Sequence, residues 1–208
     1  MNDGARLLRV KPRFNANVNE WWMCDEGRYG LGWIDKGRLT KVRHQGRDAT
    51  WPQALTAIAA ALAPLRQSGA GAKIGVIAST QLSNEELFLV RELFQGALGA
   101  RVSAFGSKPH GSGDDFLIKA DKNPNTAGAT LLGLAGAGAR AASGIAEIVK
   151  DAVEGRLEAL WVFGHDLTAS VDPQTLQELP KKLRSVVFSG TNENPTSALA
   201  HCALPYAI

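Results

Sequence analysis

The sequence predicts an α/β fold, an open and mostly parallel sheet with helices on both faces, preceded by a small irregular or β N-terminal segment. Three observations carry this reading. Helical and strand-like patterns alternate from Thr50 to Phe105, the candidate strands are nearly unbroken apolar runs, and two helical segments open with capping signals. Helix, strand, helix, strand in that order calls for crossover connections and therefore parallel strands. Strands covered on both faces lose the polar alternation of a half-exposed sheet.

The first element, Arg6-Leu7-Leu8-Arg9-Val10, has the partial alternation of a strand. Lys11-Pro12-Arg13 ends it, because proline offers no donor to a ladder. Leu31 to Arg47 reads as irregular, punctuated by Gly32, Gly37 and Gly46. Thr50 is placed as an N-cap with Pro52 in the first turn. Leu55, Ile58, Leu62 and Leu65 then recur at helical spacing, and Lys73 to Ser79 follows as an apolar strand. Ser83 and Glu86 have capping-box spacing. Leu87, Val90, Leu93, Phe94 and Leu98 predict the buried face of that helix, which Gly99 terminates before a strand over Arg101 to Phe105.

Gly106 to Gly113 is a loop by composition, and Asp114 to Gly128 a structural turn with flanking charged pairs. Ile145, Ile148, Val149, Ala152 and Val153 mark a third helix, and Leu157 to Phe163 a third strand ending at Gly164-His165-Asp166. Asp172-Pro173 opens a short helix that Pro180 is expected to interrupt. Ser185 to Ser189 is a fourth strand, Thr191 to Thr196 leads into a helical turn, and Cys202 to Pro205 is a last short strand.

The chain has 208 residues, enough for one or two domains. Hydrophobic residues make up 45% and charged residues 21%, the balance of an ordinary globular protein. No apolar run approaches the roughly 20 residues that cross a bilayer. Met1 to Arg13 lacks the apolar segment of a secretory signal, so a cytoplasmic location is expected. The net charge of +3 is uneven, with ten Lys or Arg against five Asp or Glu between Met1 and Arg47. That arm carries no nucleic-acid fold and its acids interrupt its bases, so no nucleic-acid partner is expected. Cys24 and Cys202 are the only cysteines, and they define no disulfide framework.

The densest chemistry lies in Trp21-Trp22-Met23-Cys24-Asp25-Glu26-Gly27-Arg28-Tyr29-Gly30. A free cysteine is most often a small buried hydrophobe. It can also be one thiolate of an iron–sulfur cluster, whose ligands are gathered from separated positions. Val18-Asn19 followed by Trp22 to Gly30 resembles the segment carrying the fourth cluster cysteine in the molybdopterin oxidoreductase superfamily. Asp115 to Leu134, containing Leu131-Leu132-Gly133, and Thr191 to Pro205 carry the same resemblance. It is strongest to the branch containing the large iron–sulfur subunit of the bacterial respiratory NADH–quinone oxidoreductase (complex I).

The resemblance implies residues 1–47 as the end of a [4Fe–4S] domain and 48–208 as a molybdopterin oxidoreductase-like α/β domain, incomplete at its C-terminus. It implies Cys24 as one of four cluster ligands. No cysteine lies between Met1 and Met23, so the set is incomplete here: the chain is expected to be a fragment or split product, or Cys24 a relic, or another chain to supply the remaining ligands. In molybdenum members a lysine between cluster and pterin follows the cysteine. Glu26 stands there instead, so molybdopterin is not expected. Other subunits of a respiratory NADH dehydrogenase are the implied partners, on the cytoplasmic side of the inner membrane, and NADH binds a different subunit.

Two alternatives remain open at this point. One is a fragment of a molybdenum or tungsten oxidoreductase such as an NAD-coupled formate dehydrogenase. The other is a stand-alone nucleotide-binding module on Gly136-Ala137-Gly138-Ala139-Arg140-Ala141, which matches G-x-G-x-x-A in a poor context. His165-Asp166 sits where open α/β sheets place ligands, yet no nucleophile accompanies it, and a surface or interface role is expected. Asp121, Lys122, Asn123 and Asn125 are expected to form a solvated turn. His44, His110 and His201 show no metal-ligand spacing, Cys202 reads as core, and Trp21 and Trp22 are expected to pack.

Overall fold

The computed structural model of the chain describes residues 7–116, 118–135 and 141–206. Within them a seven-stranded sheet runs in the spatial order β2-β1-β7-β6-β5-β3-β4. Its parallel part is β3 (Ile74–Ser79), β4 (Arg101–Phe105), β5 (Ala159–Phe163), β6 (Ser185–Gly190) and β7 (Cys202–Pro205). A hairpin of two-residue strands, β1 (Arg43–His44) and β2 (Arg47–Asp48), adds antiparallel to β7. Gln45 and Gly46 form its turn, both with positive φ, which suits the twist of a tight hairpin. The α/β architecture is therefore as the sequence predicts.

Two apolar layers sandwich the sheet. α2 (Trp51–Gln67) and α3 (Asn84–Val90) lie on one, sharing a core with Val76, Ala78, Phe94 and Val187. α5 (Ala141–Val153) and α6 (Pro173–Lys182) lie on the other, with Ile77, Leu160, Val162, Val186 and Phe188. Successive strand residues point to opposite faces, so Val76 and Ile77 serve different cores. All six residues of β3 and of β6 are buried, which explains their unbroken apolar runs.

Both capping boxes form. Thr50 pairs reciprocally with Gln53 and Ser83 with Glu86, satisfying donors that the first helical turn leaves orphaned. Register differs from expectation at two leucines. Leu55 is 49% exposed, and Ala54 instead fills the place beside Ile58. Leu93 is 52% exposed because the helix continues past Val90 as a π-helical segment, Arg91–Ala97, whose wider turn sends Phe94 inward alone. Phe94 meets Trp161 and Phe163 edge-on, with ring centroids 5.0 and 5.9 Å away.

Pro180 does not break α6, which continues to Lys182. It sits within the last turn, where only the hydrogen bond to Leu176 is forgone, and Leu183 still bonds Leu179. Thr126–Leu131 forms a short helix, α4, where the sequence predicts a turn, and α7 (Pro195–Leu199) is capped by Asn194. At the N-terminus the expected strand shrinks to a bridge residue at Leu7, while Val10 bonds Arg28 and Arg6 lies outside the described residues.

Candidate functional site

Cys24 is the N-cap of α1 (Asp25–Tyr29), a five-residue helix with no buried residue. Its backbone is extended, its side chain caps nothing, and its thiol is exposed. Arg28 turns back over the segment, bonding the Met23 carbonyl at 3.3 Å and lying 3.6 Å from Asp25. A Cβ at Gly27 would stand in ordinary contact with the Cys24 thiol, 3.7 Å from Sγ. Glu26 is exposed, with the Lys108 ammonium 3.8 Å away.

Trp21 and Trp22 are 67% and 59% exposed, and each has one aromatic partner. Trp21 tilts on Phe14 at 5.1 Å and Trp22 meets Phe116 edge-on at 5.5 Å. The loop bearing Phe116 thus rests against the cysteine segment. The expectation of packing holds for the contacts, but neither indole is buried. Among the described residues no group of three or more His, Cys, Asp or Glu side chains is arranged to hold a metal ion. Toward a four-thiolate cluster this geometry offers a single accessible sulfur.

The second place to look is the carboxyl end of the sheet. The parallel strands follow the doubly wound order second-first-third-fourth-fifth, whose ligand crevice opens between β3 and β5. Here the chain's own side chains occupy it. His165, expected near the surface, is 3% exposed, and its Nε2 lies 3.2 Å from the Ala78 carbonyl oxygen and 3.1 Å from that of Phe105. Those contacts fix a proton on Nε2. Burial pushes the imidazole below its ordinary value. Ser79 and Thr80 beside it are fully buried.

Gly164, at φ +68°, brings its backbone so close to Tyr206 that a Cβ would lie 2.8 Å from the phenol oxygen. Burial, and secondarily Glu86, push that phenol's pKa up. Asp166 does not pair with His165. It caps a short 3-10 turn through Thr168 and also accepts from Thr196 at 3.4 Å. Among the described residues, Ser79, Thr80 and His165 thus set buried side chains at this end of the sheet.

The polar run near Asn123 proves to be loop scaffolding. Asn123 bonds both backbone groups of Lys108, at 2.9 and 2.8 Å, and Lys122 reaches the Ser112 carbonyl at 2.6 Å. Asn125 bonds the Leu82 carbonyl and Asn84, joining α4 to α3. The stretch is ordered by these bonds beyond what a solvated turn requires. The G-x-G-x-x-A stretch lies outside the described residues, apart from the backbone of Ala141. Sequence reasoning missed His201, whose two ring nitrogens both meet main chain; no local pattern signals such a role. No helix among the described residues is long and apolar enough to cross a membrane.

No family model matches the chain. It is 36% identical over 127 residues to NADH-quinone oxidoreductase subunit 3 of Thermus thermophilus, covering 54% of this chain and 15% of that protein. It is 35% identical over 120 residues to the mitochondrial NADH-ubiquinone oxidoreductase 78 kDa subunit of Neurospora crassa, covering 54% and 16%. YrhE of Bacillus subtilis, named a candidate formate dehydrogenase, is 28% identical over 95 residues, covering 43% and 10%. The aligned segments thus span about a sixth or less of these relatives. Over about half of its length, the chain is a homologue of the 78 kDa subunit of NADH-ubiquinone oxidoreductase and of its bacterial NADH-quinone oxidoreductase counterparts.

Proposed function

We propose that this chain is part of an electron-transfer subunit of an NADH–quinone oxidoreductase, with Cys24 as one of the four ligands of a [4Fe–4S] cluster. The observation that carries the reading is the exposed, uncapped thiol of Cys24 within its motif. Residues 1–47 then form the end of the iron–sulfur domain and 48–208 a molybdopterin oxidoreductase-like scaffold that holds no pterin. Two features support the last point: Glu26 in place of the pterin-facing lysine, and the buried side chains of Ser79, Thr80 and His165 at the carboxyl end of the sheet. The cluster, when bound, supplies one-electron chemistry.

This chain's own residues orient the sulfur. Arg28 donates to the Met23 carbonyl and lies against the Asp25 carboxylate, and the Trp22–Phe116 contact sets the segment against the α/β unit. The partners are the other subunits of such a complex. The location is peripheral, at the cytoplasmic face of the membrane.

Anaerobic purification of the protein tests this. Iron and sulfide without molybdenum or tungsten, and loss of one cluster signal in Cys24→Ser, are expected. Absence of iron overturns the redox assignment. Stoichiometric molybdenum favours a second reading, a fragment of a formate dehydrogenase-like oxidoreductase, which the similarity to YrhE supports.

A further inference from the structure

Both ring nitrogens of His201 are engaged by main chain. Nδ1 accepts from the Val186 N–H at 2.9 Å, and Nε2 lies 3.1 Å from the Pro180 carbonyl oxygen. Accepting from Val186 requires a bare Nδ1, so the ring is neutral and its one proton, on Nε2, is donated to Pro180. One imidazole therefore joins three elements: the entry to β7, the start of β6 and the last turn of α6. The next residue is Cys202, whose thiol is buried and whose pKa burial pushes up.

We propose that His201 is an acid-sensitive latch: protonation of Nδ1 sets two N–H groups against each other, parts the start of β7 from β6, and so frees Cys202, the register partner of Val187, from the core on the α2 face. The charged surroundings favour this response. Burial is the main influence holding the ring's pKa down, the Pro180 carbonyl partly offsets it, and His44 on β1 adds to the lowering. On α6, Lys181 is paired with Glu178 and Lys182 adds further positive charge. Ahead of β6, Arg184 is paired with Glu158. Among the described residues no carboxylate pairs with His201 to hold an imidazolium in place.

The sign follows from linkage. The ring's folded pKa is depressed, so the opened corner takes up the proton first as pH falls below the ordinary histidine value of about 6.5. Labelling of the intact chain with 4,4′-dithiodipyridine, resolved by mass spectrometry, tests it. In the 208-residue chain prepared without a cluster, the exposed Cys24 is the reference in every sample. The Cys202-to-Cys24 labelling ratio rises as pH falls from about 7.5 to about 5, by up to about tenfold per unit, with helical ellipticity unchanged.

In His201→Asn, whose Oδ1 takes the place of Nδ1 and does not titrate, the ratio stays flat. A flat ratio in the unsubstituted chain overturns the latch, as does an equal slope in His201→Asn or a rise seen only with loss of ellipticity. Amide exchange at Val186 gives a second readout without any substitution. Its protection falls over the same range, and pH-independent protection overturns the proposal.

Discussion

The side-chain amide of Asn192 donates to the carbonyl oxygens of Trp33, at 2.9 Å, and Lys36, at 2.7 Å, and so ties the N-terminal arm to the end of β6. Backbone bonds from Leu39 to Thr191 and from Glu193 to Gly37 lie on either side. Between residues 7 and 38 no side chain is buried, so these bonds stand in for a core. Asn192→Ala is expected to cost about 1 kcal/mol and to speed tryptic cleavage after Lys36 and Arg38 severalfold, measured by limited proteolysis.

Phe94 is the anchor of the π-helical turn, buried against Trp161 and Phe163. Phe94→Ala removes a full ring from a closed site and is expected to cost about 3–5 kcal/mol, read from denaturant midpoints at constant slope. Leu93→Ala, one residue earlier and exposed, is expected to stay within about 0.5 kcal/mol.

Burial holds the His165 imidazole below its ordinary pKa, so its neutral form is the folded one. The unfolded chain binds the proton first, and stability falls as pH drops below about 6.5. In His165→Leu the acid limb of the stability curve is expected to flatten. At neutral pH the same variant loses about 2 kcal/mol, because the Ala78 and Phe105 carbonyls lose a donor. Equilibrium unfolding across pH separates the two effects.

Gly164 combines a positive φ with the close approach of the Tyr206 hydroxyl. Gly164→Ala is expected to destabilise by about 1–3 kcal/mol, part of it conformational and part steric. Only the steric part is relieved by Tyr206→Phe, so the double variant is expected to lose less than the two single losses added. A double-mutant cycle measures the difference.

Cys24→Ser is expected to leave the stability of the chain within about 0.5 kcal/mol, since the thiol is exposed and does not cap α1. Thermal unfolding of the two forms checks this.

Strands β3 and β6 were legible because full burial leaves an apolar run that few other environments produce, and β5, buried at three of its five residues, follows the same pattern. The helix starts at Thr50 and Ser83 were legible because capping chemistry is local. What escaped has non-local causes. Leu55 and Leu93 carry the right hydrophobicity, but which face packs is settled by Ala54 and by a π turn that no periodicity announces. The helix α4, Thr-Ala-Gly-Ala-Thr-Leu, has no apolar period of its own, and Asn125 supplies its anchorage to α3 from outside. His165 reads in sequence as a strand-end residue near the surface. Its burial is tied to carbonyls from two other strands.

The β1–β2 hairpin is the boundary of the sheet, and its two-residue strands offer a neighbouring molecule almost no ladder to extend. Behind it lies β7, apolar and unprotected if the hairpin is cut away. A version of the protein beginning after Asp48 would present that strand as a template, and clumping in concentrated solution is the physical result.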